Sequence, residues 1–476
     1  MSTPSCLSWA LVSVAALIGG PAVAAPASTQ GTSAPLSLAE ALEYAGSHYP
    51  SVRAALEEKV ATGHDVAVAR AAYLPQVNLL WQINRATDNN FTGLLLPQAV
   101  LPSLSGAVLP QNGQSAWNSG AGVLVTWRPY DFGFRAARVD AARQAEAAAI
   151  QAVDLTELQV LDATANAYMN VVAAQSLAGV AKANLDRLHS FTTVIHVLVD
   201  NKLRPGVDGA QADAAEALAG TALINALDNV DSQKATLAKL VGRPAGDFGI
   251  AAGVLEDSTP RDSRSLSGPI ESHPAALQEA ARVKQQAAQL RAIHSAYAPQ
   301  IDVIGSASAR GGGTTSTGAF IGVTSGLTPD VDNWAVGLQV TIPLGTYPAL
   351  HAQEEAQRAR LDEERDRYDL TLGDLNEVLA QAQTSFAGAQ LIAQITPAAL
   401  AAARQSEGQQ RVRYQSGLAT VVDVTTAEAA LAEAESQDAI ARLDVWRALT
   451  ALGAARGDLS PLRDALVTPL NLPAAR

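Results

Sequence analysis

The sequence predicts a mainly α-helical chain with a small membrane β part, built twice from a unit of two short strands followed by one very long helical hairpin. Three observations predict it. The two halves match in order along most of their length, each half carries two stretches of alternating apolar and polar side chains, and each then enters a long segment almost free of glycine and proline. The composition agrees. Of 476 residues 48% are hydrophobic but only 5% aromatic, and alanine dominates the apolar share, which suits closely spaced helices better than a core of bulky side chains.

The N-terminal segment, 1–24, contains no Asp, Glu, Lys or Arg. Leu7 to Ile18 is mostly apolar and is followed by Gly19, Gly20, Pro21 and Ala22-Val23-Ala24, which reads as a secretory signal cut after Ala24. It lacks a basic residue before the apolar run, so either the amino terminus supplies that charge or the true start lies elsewhere. Residues 25–36 read as a linker. The only cysteine, Cys6, falls inside the signal and lacks a lipoprotein-type context, so neither a disulfide nor a lipid anchor is expected. A formal charge of -13 argues against nucleic acid as a partner, and none is expected. Beyond the signal no run approaches the roughly eighteen apolar residues of a membrane helix.

The halves align on specific residues. Ala72-Tyr73-Leu74-Pro75-Gln76-Val77 corresponds to Ala296-Tyr297-Ala298-Pro299-Gln300-Ile301, and Pro50 to Pro274 at the same interval. Gly122-Val123-Leu124-Val125-Thr126 corresponds to Gly337-Leu338-Gln339-Val340-Thr341 at a shorter interval, which is kept as far as Asp208 and Asp423. The length difference is therefore absorbed between Gln76 and Gly122, where a loop is expected, while the rest of the unit keeps its length as a rigid element must. The units run over 37–242 and 269–458, with 243–268 between them and a tail at 459–476.

Period-two alternation places strands at about 75–85, 119–129, 299–309 and 333–343. In the first, Val77, Leu79, Trp81 and Ile83 alternate with Gln76, Asn78, Gln82 and Asn84; in the last, Trp334, Val336, Leu338 and Val340 alternate with Asn333, Gln339 and Thr341. A small soluble sheet with one buried face shows the same alternation. Strands of this length also suit a tilted membrane crossing, and there open edges are not tolerated. Four strands would then need other copies: three protomers make a twelve-stranded barrel, with Trp81, Trp127 and Trp334 as candidates for its interfacial girdle. The strand pairs are joined by long loops, and the first carries the apolar, proline-punctuated run Leu94 to Pro110.

Phe134 to Asp200 holds no proline and one glycine, Gly179; as a continuous helix it would span about 100 Å. Its counterpart, Ala349 to Gln415, contains Pro397, which should kink or break it. Each rod ends in a short turn and a returning helix, giving hairpins over 133–242 and 349–453. The first turn is Leu203-Arg204-Pro205-Gly206 and the second Ser416-Gly417-Leu418-Ala419, followed by a capping-box pattern, Thr420-x-x-Asp423. Val424, Ala427, Leu431, Ala434, Ala441, Val445, Ala448 and Leu452 form a small-residue coiled-coil seam, interrupted at Asp438.

With these features the chain resembles the TolC family of outer-membrane efflux and secretion channels. The residues that carry the resemblance are Ser37-Leu38-Ala39-Glu40-Ala41-Leu42, Ala72-Tyr73-Leu74-Pro75, Trp127-Arg128-Pro129-Tyr130-Asp131-Phe132-Gly133, and Tyr414-x-x-Gly417 with Val422-Asp423-Val424. The resemblance implies a homotrimer whose twelve-stranded β-barrel sits in outer-membrane lipid and continues as an α-helical barrel across the periplasm. It further implies that Leu203, Arg204, Pro205 and Gly206, with Ser416, Gly417, Leu418 and Ala419, meet a periplasmic adaptor that links the duct to an inner-membrane transporter. Residues 243–268 and the tail would form an equatorial band. Two departures stand out: the second junction, Ile342-Pro343-Leu344-Gly345, lacks the Asp-Phe-Gly of the first, and the tip carries Glu407, Arg411 and Arg413 in place of an acidic ring. These three are candidate gate residues; simple solvation of Arg411 and Arg413, or locking salt bridges, is favoured over a charge filter.

His48, His64, His189, His196, His273, His294 and His351 form no metal-binding pattern; His48 and His273, beside Pro50 and Pro274, read as structural caps. Asp131-Phe132-Gly133 has no kinase context. No catalytic, cofactor or metal site is expected. The rival reading, a periplasmic coiled-coil adaptor or structural protein, explains the hairpins but not the paired strands in both halves.

Overall fold

The computed structural model describes residues 35–87, 115–244, 248–253, 255, 259–260, 268–313, 321–322 and 324–467. The signal, nearly all of the linker, the apolar run of the first outer loop and the last residues of the tail lie outside them. The chain begins with α1 (Leu38–His48) and α2 (Pro50–Ala71), enters β1 (Gln76–Thr87) and β2 (Ser115–Tyr130), and continues into α3 (Phe134–Asp200) and α4 (Gly206–Val241). The second half repeats the plan as α5 (Pro274–Ser295), β3 (Gln300–Gly312), β4 (Val331–Thr341), α6 (Tyr347–Gln415) and α7 (Val421–Arg456), and ends in α8 (Ser460–Val467).

Local chemistry sets the helix ends. Ser37 and Glu40 form a reciprocal capping box at α1, and Thr420 and Asp423 form another at α7. Pro50 and Pro274 stand in the first turns of α2 and α5, where a missing N–H costs nothing. Gly457 closes α7 at φ 80°, and a Cβ there would lie 2.6 Å from Cδ of Pro274. Only glycine satisfies both conditions. α3 is continuous over 67 residues and α6 over 69, so each spans about 100 Å.

α6 runs through Pro397 without a break in the helix, so of the two expected effects, a kink or a break, the break is not seen. The proline leaves the Ala393 carbonyl without its usual donor, yet Thr396 ties the turn to α7 by donating to Asp438 at 3.0 Å. The histidine pair also divides. His273 caps α5, its Nδ1 accepting from the Ala275 amide at 3.1 Å, and its burial lowers the imidazole pKa. His48 instead ends α1, stacked on Tyr44, and α2 has no side-chain cap.

α3 is the spine of the molecule, packing against α1, α2, α4, α5 and α7. Near the strands it lies between α2 and α5; toward the far end it lies between α4 and α7, and α6 borders α5 and then α7. The largest core sits midway. There Tyr168, Met169 and Val172 of α3 meet Leu42 of α1, Leu237 of α4, Trp446 of α7 and Leu462 of α8, with Phe248 and Leu255 from the segment between the two halves. A short parallel bridge pairs Leu36 with Ile250, and the buried Tyr168 hydroxyl donates to the carbonyls of Leu36, at 2.8 Å, and Ala251, at 2.6 Å. Desolvation pushes that phenol's pKa upward. Tyr168→Phe should therefore cost about 1 to 3 kcal/mol by leaving the Ala251 carbonyl unpaired, the Leu36 carbonyl keeping its bond from the Ala251 amide, read as a lower thermal midpoint of the detergent-purified protein with helical content unchanged.

Candidate functional site: a bare membrane face, a rigid junction and paired tips

The four strands form one antiparallel sheet in the order β1-β2-β3-β4. Its register gathers the four alternating stretches onto one surface. Leu79 pairs with Val123, Val123 with Ala307, and Ala307 with Trp334; one step along, Val77 pairs with Val125, Val125 with Gly305, and Gly305 with Val336. Directly paired residues point the same way, so Val77, Leu79, Trp81 and Ile83 share a face with Trp334, Val336 and Leu338. The opposite face carries Gln76, Asn78, Gln82, Thr126, Ser306, Ser308 and Gln339. Among the described residues no helix covers the apolar face: Leu79 is 82% exposed and Trp334 81%. Water would not tolerate so continuous a patch, whereas lipid requires one.

The three tryptophans stand at two heights. Trp127 lies at the helical end of the sheet, its indole donating to the Tyr73 carbonyl at 3.1 Å, while Trp81 and Trp334, opposite Ala121 and Ala307, lie further toward the outer loops. A register shift follows Trp127. Residues three apart on a regular strand face opposite ways, but the shift pairs Trp127 with Val303 and Tyr130 with Ile301 and so turns both rings to the apolar face. Phe132, at φ 52°, meets Tyr130 edge to face. The height difference and the bulge depend on pairing partners, which periodicity does not contain.

Below the bulge, Asp131 secures the turn into α3. Its carboxylate accepts from the amides of Gly133 and Arg135, at 3.3 and 3.0 Å, and from Arg135 Nε at 2.6 Å. The Arg135 guanidinium in turn donates to the Ala72 carbonyl at 3.1 Å and stacks on Tyr73. Arg128 grips Asp302 with two bonds across the strands, 2.8 and 3.2 Å. A cleft of about 630 Å³ opens here between α2, α3 and the sheet; among its charges Arg128 is matched by Asp302 and Arg135 by Asp131, and Arg138 rests over Phe134. The second junction is built differently, with a single 3₁₀ turn, Leu344–Thr346, and Tyr347 stacked on Tyr297.

At the far end the two hairpin turns meet. Arg204 donates to the Tyr414 carbonyl at 3.2 Å and lies over the Tyr414 ring; that ring is buried against Phe191, Ile195, Ala212, Val421 and Val424. Burial raises the Tyr414 pKa. Lys202 and Gly417 take left-handed conformations in the two turns, and Arg413 reaches back to the Leu418 carbonyl. Pro205 precedes the first residue of α4, Gly206, while Ser416 ends α6 and Ala419 leads into α7. Leu203 and Leu418 project outward, 69% and 70% exposed.

Just above the tips lies a charged cluster that sequence reasoning found only in part. Arg411 joins Glu407, at 2.8 Å, to Glu428. Glu428 is wholly buried and also binds Arg187 of α3 at 2.8 Å; Arg187 and Arg404 both reach Glu435. In sequence Glu428 and Arg187 each look like an ordinary charge on a solvated helix. The one available signal was position: Glu428 adjoins the seam residue Ala427.

Residues 41–243 and 269–458 match the model of the outer membrane efflux protein family, and each matched segment contains one strand pair and one hairpin. No curated protein matches the sequence significantly. Among solved structures the chain is similar to the outer-membrane protein VceC of Vibrio cholerae, at TM-score 0.74 and 21% identity over 88% of this chain and 96% of that one. It is also similar to CusC, with TM-score 0.74 and 15% identity over 88% and 92% of the two chains. The open state of the MtrE channel of Neisseria gonorrhoeae gives TM-score 0.70 and 20% identity over 88% and 89%. An amphipathic sheet continued by hairpins of this length is the architecture of an outer-membrane channel subunit, set in the outer membrane and extending into the periplasm. The chain belongs to the outer membrane efflux protein family.

Asp131→Ala should cost about 3 to 5 kcal/mol, because it strands the buried Arg135 cation. Asp131→Asn, which keeps an acceptor for the turn, should cost less. Unfolding midpoints of the two variants in detergent test the ranking.

Proposed function

We propose that the protein works as a homotrimeric, passive export duct, with three sheets closed into a twelve-stranded β-barrel and the hairpins forming a helical tube below. The observation that carries this reading is the sheet itself: β1 and β4 both leave an edge unpaired beside an exposed apolar face, and in lipid only closure satisfies those backbone groups. The helices support it. An eighteen-residue stretch of α6 has mean hydropathy 1.3 yet is only 6% buried, a membrane-helix composition that the sequence reading did not expect. Leu391, Ile392 and Ile395 in that helix are exposed, as are Leu218, Ile224 and Leu227 on α4 at the other edge of the subunit. A neighbouring copy would join these two stripes. Trp127 would then mark the periplasmic rim of the lipid, and Trp81 with Trp334 the outer rim.

The tips are the contact for a periplasmic adaptor, through which the duct serves an inner-membrane transporter in a tripartite efflux pump or a type I secretion system. The exposed Leu203 and Leu418, on turns braced by Arg204 and Tyr414, support that assignment. The duct performs no catalytic step. Glu407, Arg411 and Arg413 belong to the region that narrows it.

The detergent-purified protein should have the mass of a trimer, fractionate with the outer membrane and conduct ions in a planar bilayer. A monomer in the soluble periplasm would refute the reading. Leu79→Arg should lower recovery in the membrane fraction, since a cation on the lipid face costs about 2 to 4 kcal/mol per copy near mid-depth. The double variant Leu203→Glu, Leu418→Glu should keep trimer and conductance but lose export in cells and crosslinking to the adaptor.

A further inference from the structure

The cleft beside the first junction is floored by one face of the sheet. Gln76 pairs with Thr126, and Arg128 reaches Asp302 across the strands; all four stand on the polar face, opposite Val77 and Val125. With the apolar face in lipid, the cleft therefore opens into the duct where barrel passes into tube. Its walls are α2 and α3, which bring the exposed Val68 and Leu74 together with the half-buried Phe134 ring. A volume of about 630 Å³ suits a small-molecule site, as does an apolar wall set with a few charged groups. The charges are unevenly engaged. Arg135 is buried on Asp131. Arg128 gives Nε and Nη2 to Asp302 and keeps Nη1 free, while Arg138 is exposed, lies over Phe134 and pairs with no carboxylate among the described residues. Asp65 is likewise exposed and unpaired, but it stands about 10 Å down α2 from Ala72, at the lower end of the cleft. Arg138, one turn from the top of α3, lies nearer the sheet.

We propose that this cleft is a lumenal binding site for amphiphilic anions, a class of solute that the duct holds on its way into the barrel. The inference rests on the channel reading above and names a solute class for it. An anionic head bonds the free N–H groups of Arg138 and of Arg128 Nη1, whose planar forks match carboxylate, sulfate or phosphate oxygens. The apolar body lies along Val68, Leu74 and Phe134 and takes those surfaces out of water. A cationic amphiphile meets two guanidinium groups at the same end, and an uncharged one leaves them without an anion. β1 and α2 stand at an edge of the subunit, so in the closed trimer a neighbouring copy borders each cleft and the sites form a ring at one height.

Equilibrium binding to the full-length protein in lipid nanodiscs, with empty discs as the blank, tests this with chain-matched probes: hexyl sulfate, hexyltrimethylammonium and hexyl glucoside. Hexyl sulfate should be retained above the blank and the other two should not. Arg138→Gln should weaken its binding about tenfold, the loss of a charge-assisted hydrogen bond, and Arg138→Lys should weaken it less. Asp65→Asn should tighten it about twofold by removing a carboxylate that repels the head. Arg138→Gln should match the wild type in trimer mass and unfolding midpoint, because the side chain is exposed. In planar bilayers hexyl sulfate should lower the wild-type current but not that of Arg138→Gln. Equal retention of the cation, binding indifferent to Arg138→Gln, or weakening in Asp65→Asn overturns the proposal. A conducting trimer that retains no hexyl sulfate overturns the anion site and leaves the channel reading standing. A protein that shows the binding pattern but neither trimerises nor conducts overturns the channel reading and the lumenal role with it.

Discussion

The constraint on which everything else depends is that a polypeptide backbone in lipid must bond all of its polar groups. Among the described residues four strands satisfy three seams and leave two edges open, so these strands alone cannot finish the membrane part. The subunit is consequently incomplete by construction. Its sheet exposes Leu79, Trp81, Trp334 and Val336, and its border helices expose Leu227 and Ile395. In the proposed assembly these surfaces meet lipid and another copy, and a lone soluble domain would carry them only at the risk of aggregation.

A second constraint is length. A helix of about 100 Å cannot bury itself in one globular core, so α3 changes partners along its course, from α2 and α5 to α4 and α7. The change takes place at mid-length, where the chain supplies its bulkiest buried residues, Tyr168 and Trp446. Elsewhere the interfaces are thin and rich in alanine. The structure thus concentrates its apolar stabilisation in a belt and leaves the tips to a small cluster around Tyr414 and to ion pairs. Buried ion pairs contribute less net stability than apolar packing but are strict about geometry.

The two halves show how one plan can carry different local chemistry. The first junction is locked by Asp131, Gly133 and Arg135, while the second relies on Pro343, a 3₁₀ turn and the Tyr297–Tyr347 stack. The returning helices differ in the same way. Asp213 in α4 is half exposed and binds His196, which raises the imidazole pKa; its counterpart Glu428 in α7 is sealed against Arg187. Duplication supplied the frame, and the neighbours of each copy decided what an acidic side chain at that point could do.

Much of the fold was written in the residues themselves. Alternation located the four strands, the long interval free of proline located α3, and the order of matching motifs revealed the repeat, because each is a local property of the chain. The tip turns were legible for the same reason, through Pro205, Gly417 and the Thr420–Asp423 box. Tertiary structure alone decided that four separate apolar stripes form one face, that a bulge aligns Tyr130 with Trp127, that Pro397 stays within a helix, and that Glu428 is buried. Those outcomes depend on register and on contacts between residues more than two hundred positions apart, such as Arg187 with Glu428, a separation of 241. Periodicity records which way a side chain points from its own backbone, and only packing determines what it meets there.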